Sequence, residues 1–314
     1  MSKTSFNTIF FGTPDFAVPV LQTLHNLEFI KITSAVTQPD KPVGKKQVIT
    51  PPPVKIEAEK NNLTVLQPIS IKTKEFEQII RQQKPDLAII IAYGKIIPAN
   101  LLEISKFGWL NIHASLLPKY RGASPIQGSI LNGESQTGVT LMKIDQGLDT
   151  GSIISQKEIP IEPTDNFQTL HEKLARLGAE LIKESLLDYL NGKLKLIPQN
   201  NNQASATKII KKQDGQINWA NPAEYIERQI RAYTSWPGTF CFWGESRLKI
   251  LNAEVNMLPK NLKPGEVFIH GKAIIIGTGK NGLKITKIQL AGKKPTNIQE
   301  FIKGYPEIIT STLK

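Results

Sequence analysis

The chain holds little of what several common chemistries need. One cysteine, Cys241, stands among 314 residues, so no internal disulfide can form and a thiolate metal site finds no second ligand nearby. Cys241 therefore reads as a small core residue. No apolar run approaches the ~18 residues needed to cross a bilayer, and the start, MSKTSFNTIFF, lacks the ordered charged, apolar and small-residue regions of a secretory signal. These absences predict a cytoplasmic protein. The turn FGTPDF has one glycine where a dinucleotide fold uses G-x-G-x-x-G, which disfavours nicotinamide binding. GTGKNG, at 277–282, has no Lys-Ser/Thr after it and lies between two strand-like runs, so it reads as a hairpin turn rather than a phosphate loop. No serine sits in a nucleophile elbow.

What is present is a chain longer than a usual single domain, 40% hydrophobic, without a long polar tract. That composition predicts a globular protein of two domains. NTIFFG reads as a strand, TPDFAVPVLQTLHN as a helix with Thr13 as N-cap and Pro14 at its first position. EFIKITSAVTQ is a second strand region. KTKEFEQIIRQQ carries Phe76, Ile79 and Ile80 at helical spacing, and PDLAIIIAYG is the continuous β-branched run of a strand buried on both faces. GWLNIH, GVTLMKI and SIISQKEIPI read as further strands, with a helix at SPIQGSILNG. NFQTLHEKLARLGAELIKESLLDYL is a long amphipathic helix with Leu170, Leu174, Leu177 and Leu181 on one side. The alternation predicts an α/β, Rossmann-like doubly wound, mostly parallel sheet over residues 1–191, whose ligands bind beyond the carboxyl ends of the strands. Residues 192–207, polar and poor in apolar side chains, read as a linker. From 208 to 314 one helix and five short strands separated by Gly and Pro predict a small β-barrel of OB type.

The net charge of +12 is unevenly spread. Residues 1–204 hold 22 Lys+Arg against 19 Asp+Glu, whereas residues 205–314 hold 17 against 8. Such an imbalance predicts that the second half meets a polyanion, nucleic acid first.

The densest motif is GWLNIHASLLPKYRGASP. Side chains alternate along a strand, so Asn111 and His113 share one face at the strand's end and point into one crevice. MKIDQGLDTGSII places Asp145 and Asp149 in a glycine-rich loop from which an acid can return to that crevice. An amide, an imidazole and a carboxylate suit acyl transfer: two donors stabilise an oxyanion, and the carboxylate orients the imidazole or takes a proton from an attacking amine. With no nucleophile elbow and no second histidine for a metal, direct transfer without a covalent enzyme intermediate is expected. The other reading of the same residues is structural, since Asn closes turns, His satisfies carbonyls and D-x-G-x-x-T is a common turn.

FGTPDFAVPVL, TQPDKPVG, IAYGKIIP, NIHASLLPKYRGASPIQGSILNG, TGVTLMKIDQGLDTGSII and AGKKPTNIQEF together resemble the methionyl-tRNA formyltransferases among the folate-dependent formyltransferases. The resemblance runs nearly end to end. It implies a catalytic domain at 1–191 and a tRNA-binding barrel at 208–314, a 10-formyltetrahydrofolate donor, no metal, and the α-amino group of methionyl-initiator tRNA as acceptor. It implies Asn111, His113 and Asp149 as the catalytic trio. It also implies folate contacts from Ile91, Ala92, Tyr93, Gly94 and Ile96, from Ser115, Leu116, Leu117 and Pro118, and from Asp145. QPDKPVGKKQVITPPPVK aligns with a loop that the family directs to the tRNA acceptor stem, commonly as Gly-Arg-Gly-Lys-Lys; here only Lys41, Lys45 and Lys46 precede Gln47 and Val48. Lys208, Lys211, Lys212, Arg228, Arg231, Lys284, Lys287, Lys293 and Lys294 are candidates for tRNA phosphates. A monomer is expected. Two other readings compete: a formyltransferase for a small amine, such as glycinamide ribonucleotide or an amino sugar nucleotide, and a noncatalytic RNA-binding protein. The basic second half argues against the first, the trio against the second.

Overall fold

The computed structural model describes residues 5–44, 46–257, 262–271 and 273–314. In chain order the elements are β1 (Phe6–Gly12), α1 (Val18–His25), β2 (Ile30–Val36), β3 (Lys41–Val43), β4 (Val48–Thr50), α2 (Pro53–Lys60), β5 (Val65–Leu66), α3 (Lys74–Gln82), β6 (Leu87–Ile91), α4 (Ala99–Leu102), β7 (Trp109–His113), β8 (Arg121–Gly122), α5 (Pro125–Leu131), β9 (Gln136–Lys143), β10 (Ile153–Pro160) and α6 (Phe167–Leu190). There follow β11 (Ala206–Thr207), α7 (Ala223–Ala232), β12 (Phe240–Trp243), β13 (Ser246–Asn256), β14 (Val267–His270), β15 (Ala273–Gly277), β16 (Gly282–Leu290), β17 (Thr296–Asn297) and α8 (Ile298–Gly304). They form two compact units: Met1–Gly122, Thr137–Ile159 and His171–Ala206 make the first; Ala123–Gln136, Pro160–Leu170 and Thr207–Lys314 make the second.

The first unit is built on a seven-stranded sheet in the order β10-β9-β7-β6-β1-β2-β5. β1 pairs in parallel with both β2 and β6, and β6 in parallel with β7. Every residue of β6, LAIII, is buried, as a strand covered on both faces requires. On one face Phe76 and Ile80 of α3 and Leu101 of α4 join Ile9, Phe11, Ala88, Ile90 and Trp109 in a core. On the other, Gly178 of α6 lies against Ile112 and Val20, and a Cβ there would stand 3.1 Å from Ile112 Cγ2. Leu174, Leu177 and Leu181 are all buried, so within this unit the long helix docks by the stripe its sequence shows. Strand order reverses between β1 and β6, and the carboxyl ends of β1, β6 and β7 open at that switch point.

The first helix departs from its sequence pattern. Pro14 precedes a short 3-10 turn over Asp15–Ala17, and α1 begins only at Val18 with Pro19 in its first turn. Thr13 is not a cap. Its hydroxyl donates to the Tyr93 carbonyl (3.2 Å) and accepts from the Gln38 amide (3.4 Å), a tie between strand ends that local propensity does not encode.

The second unit carries an antiparallel sheet in the order β12-β13-β16-β15-β14, with β17 beside β16. Its two edges are joined by the last residues of the chain: Leu313 N donates to Gly265 O (2.8 Å) beside β14, and Lys314 and Phe242 exchange main-chain hydrogen bonds of 2.9 and 2.6 Å on β12. That closure gives the small barrel, filled by Ile226 and Ile230 of α7, Leu248, Ile250, Ile274, Ile276, Ile285 and Phe301. Cys241 is fully buried in the same core, and burial pushes its thiol up to about 12. GTGKNG is the β15–β16 hairpin, with Gly277 facing Gly282.

Candidate active site

β7 ends the site's central wall. Every residue of β7 except the half-buried Asn111 is buried, and Ile112 faces α6, which by strand alternation leaves Asn111 and His113 together on the opposite face. The Asn111 carboxamide is half-buried and makes no hydrogen bond among the described residues, so its N–H groups are free to donate. His113 is fixed. Its Nε2 lies 2.9 Å from the Tyr120 carbonyl oxygen, and a carbonyl can only accept, so Nε2 carries a proton. Nδ1 is thereby directed at Asp149, whose Oδ2 lies 3.7 Å away, close enough for an ion pair and too far for a direct hydrogen bond. Both side chains are largely shielded, at 7% and 15% exposed, so a charge on the imidazole would meet the carboxylate with little screening by water.

Asp149 owes its place to an over-determined loop. Asp145 Oδ1 accepts from Gly147 N (3.0 Å) and Thr150 Oγ1 (2.7 Å), which closes the turn. A Cβ on Gly147 would collide with Thr150 Oγ1, and one on Gly151 with the Lys143 carbonyl oxygen, so both positions need glycine. Asp149 itself has φ +53°, the left-handed region that few non-glycine residues adopt. Its Oδ2 accepts from Gly122 N at 2.8 Å. The D-x-G-x-D-T-G pattern is thus a tight turn whose second aspartate is aimed inward while the first, Asp145, is exposed and spent on the turn.

The loop after β6 follows a strand that pairs with β7. Ala92 (φ +47°) and Gly94 (φ +83°) are both left-handed and exposed, and a Cβ on Gly94 would meet nothing within 4 Å. Gly94, Lys95 and Ile96 donate no main-chain hydrogen bond among the described residues, and the Ile96 side chain is 81% exposed. Ile91 and Tyr93 differ: both side chains are buried, Tyr93 packs edge-on to Phe11, and burial pushes its phenol up to about 12. Tyr93 reaches this region only through its carbonyl, which accepts from Thr13 and Gln38 Nε2. Lys95 is held by the Ile69 carbonyl (2.7 Å), and burial, with the charge of Lys41, lowers its pKa. The bend Ser115–Pro118 has buried Ser115 and Leu117, half-buried Leu116 and Pro118, and a cis Leu117–Pro118 peptide. Thr140 and Gln156 pin it: Thr140 Oγ1 donates to Ser115 O and accepts from Leu117 N, and Gln156 Nε2 donates to Leu117 O. No local sequence signal marks either residue.

The basic candidates divide by environment. Lys41 and Lys46 are exposed on the β3–β4 hairpin, together with the exposed apolar residues Val43, Val48 and Ile49; Lys45 lies outside the described residues. Lys208, Lys211, Lys212, Lys287, Lys293 and Lys294 are exposed, Lys208 paired with Asp214 at 2.7 Å. Lys284 pairs with Glu254 at 2.9 Å. Arg228 and Arg231 are engaged internally. Arg228 Nε donates to Leu131 O (3.0 Å), and Arg231 pairs with Glu227 (2.6 Å) and donates to Asp165 O (2.8 Å). Both line a cleft of about 300 Å³ in the second unit, with Glu134, Glu162, Glu224 and Glu227. None of the trio lines it.

Two family models match the chain: formyl transferase over residues 6–186, and the formyl transferase C-terminal domain over 209–306. The methionyl-tRNA formyltransferase of Geobacter sulfurreducens is 40% identical over 298 residues, 95% of this chain and 93% of that protein. The chain belongs to the methionyl-tRNA formyltransferase family. Its Caldanaerobacter subterraneus relative of that name is 42% identical over 95% of this chain and 96% of the relative. Among solved structures, the N-formyltransferase from Helicobacter canadensis in complex with folinic acid and dTDP-3-aminofucose superposes with a TM-score of 0.67 at 24% identity, over 92% of this chain and all of that one. HypX from Aquifex aeolicus in complex with tetrahydrofolic acid gives 0.58 at 18% identity, over 96% of this chain and 48% of that one. These two likenesses establish the shared fold. Among the described residues no helix is long and apolar enough to cross a membrane, and no group of three His, Cys, Asp or Glu could hold a metal ion.

Proposed function

We propose that this enzyme transfers a formyl group from 10-formyltetrahydrofolate to the α-amino group of methionyl-initiator tRNA, as a cytoplasmic monomer in translation initiation. The observation that carries the reading is the meeting of the unbonded Asn111 amide, a tautomer-fixed His113 and the Asp149 carboxylate at the end of β7, in a chain 40% identical to enzymes named for that reaction. The donor suits the residues present: the free amides of Gly94, Lys95 and Ile96 can meet the polar edge of a flat heterocycle, and Ile96 and Leu116 offer apolar contact to its faces. When bound it supplies a carbonyl carbon attached to an aromatic amine nitrogen.

The residues then act in three ways. Asn111 donates to the formyl oxygen as negative charge develops there, a role in which losing one donor costs about 100- to 1,000-fold in turnover. As an imidazolium, His113 donates to the same oxygen through Nδ1, beside which Asp149 lies. Asp149 accepts the proton that the attacking amine releases as its nitrogen bonds to the formyl carbon. The departing nitrogen takes up a proton as its bond to that carbon breaks, so the site ends with its protons conserved. Residues 208–314 bind tRNA in this reading, with exposed Lys208, Lys211, Lys212, Lys287, Lys293 and Lys294 meeting phosphates, and Lys41 and Lys46 present a second basic contact from the hairpin.

The test is transfer of labelled formyl to methionine-charged initiator tRNA, beside deacylated tRNA, glycinamide ribonucleotide and an amino sugar nucleotide. Label on the charged tRNA alone is expected. Label on a small amine alone would overturn the acceptor assignment.

A further inference from the structure

The stretch between α6 and the second unit looks in sequence like a polar linker. In the first unit it lies along the candidate site. Ile197 and Ile153 exchange main-chain hydrogen bonds of 2.8 and 2.9 Å at the start of β10. Two residues on, Gln199 Nε2 donates to two carbonyls at once, Asp149 O at 2.9 Å and Gly151 O at 2.8 Å. Its Oε1 accepts from Arg121 Nε (3.0 Å) and Nη2 (2.8 Å), and Arg121 Nη2 also reaches Asn201 Oδ1 (2.9 Å). Farther along, Ser205 Oγ accepts from Tyr120 N at 2.9 Å and Ser205 O from Arg121 N at 2.8 Å. Tyr120 O is the acceptor that fixes His113.

We propose that Gln199 is a positioning residue for formyl transfer, holding Asp149 at the distance and angle at which it faces His113. A left-handed backbone at a non-glycine residue is strained and persists only where neighbours over-determine it. Gln199 supplies that constraint from one side, gripping the carbonyls of Asp149 and Gly151, while Gly122 N grips the Asp149 carboxylate from the other. Only a carboxamide suits the position, because the carbonyls need two N–H groups and the Arg121 guanidinium needs an acceptor. The fork of Arg121 fixes which end of the amide faces which partner. Gln199 touches no reacting atom. It acts through Asp149, and the inference rests on the formyl-transfer reading of His113 and Asp149.

Three substitutions separate this from ordinary loop packing. Q199M keeps the volume and removes every hydrogen bond; Q199E keeps the acceptor for Arg121 and removes both donors; D149N tests the underlying reading. For Q199M and Q199E turnover of formyl transfer falls about 100-fold, the loss that ~1 Å of misplacement brings, while KM for donor and charged tRNA stays within about threefold. The pH profile of kcat changes in both. A residue that merely filled the loop would lower the melting temperature and leave kcat and its pH profile unchanged. Both variants at wild-type turnover beside an inactive D149N would overturn the role of Gln199 alone. An active Q199E beside an inactive Q199M would show that the Arg121 contact, not the grip on Asp149, is what matters. Should Q199M fail to fold, Q199E carries the test. D149N at wild-type turnover would overturn the reading of the site itself, and the inference with it.

Discussion

Replacing Gly151 with alanine puts a methyl group on the Lys143 main-chain oxygen, well inside the 3.0 Å that Cβ contacts respect. Lys143 is the last residue of β9 and accepts no flexible rearrangement there: its own N–H donates to Ser152 O at 2.9 Å, so carbonyl and methyl are held against each other by the hairpin. The loop must open by about 1 Å, with an overpacking cost of about 1–3 kcal/mol. Gly151 is two residues from Asp149 and shares Gln199 with it, so the opening moves the carboxylate. Turnover of formyl transfer should fall about 100-fold, as it does for a ~1 Å error in a positioned group. Gly304→Ala is the control: an added Cβ meets nothing within 4 Å and φ is ordinary there, so activity is unchanged and stability is equal or higher by up to about 1 kcal/mol. Wild-type turnover in folded G151A would refute the claim that this turn sets the site.

Alkaline stability follows from three buried groups. The Cys241 thiol and the Tyr93 and Tyr233 phenols are each pushed up to about 12 by burial, from ordinary values of 9 and 10. Each binds its proton more tightly folded than unfolded, so its contribution is full below those ordinary values and is lost as pH rises through about 12; urea midpoints should be flat near neutrality and drop above pH 9. A flat profile to pH 12 would contradict the burial. For the same reason Cys241 should resist alkylation at pH 8 in the native protein and react once unfolded. Neutralising Lys287, Lys293 and Lys294 together should reduce the salt slope of tRNA binding by about one for each phosphate they no longer meet, whereas Arg231→Ala should lower thermal stability and leave that slope unchanged, because Arg231 is spent on Glu227 and Asp165.

Much of the architecture was legible because periodicity records burial. The all-buried LAIII run marked a central strand, the leucine stripe of α6 marked its docking face, and the period-two spacing of Asn111 and His113 placed them on one wall. What was not legible depends on residues far apart in the chain. Thr13 looked like a helix cap and instead ties β1 to Tyr93; Tyr93 looked like a ligand contact and its ring lies in the core. Arg228 and Arg231 looked like phosphate contacts, and long-range carbonyls and Glu227 occupy them. Gln199 carries no signal in the sequence because its partners are some fifty and some eighty positions away, and no local pattern distinguishes a glutamine that grips a loop from one that faces water.

The roles of the trio are tested most directly by the single-turnover rate of formyl transfer to methionyl-initiator tRNA, measured at saturating donor for Asn111→Ala, His113→Ala and Asp149→Asn. D149N keeps an oxygen for Gly122 N and so keeps the loop while removing the charge. The expected result is a loss of about 100- to 1,000-fold in each variant, with tRNA affinity and melting temperature near those of the wild type. Transfer at the wild-type rate by any folded member of the three would contradict its assigned role, and by all three would place the chemistry elsewhere on the chain.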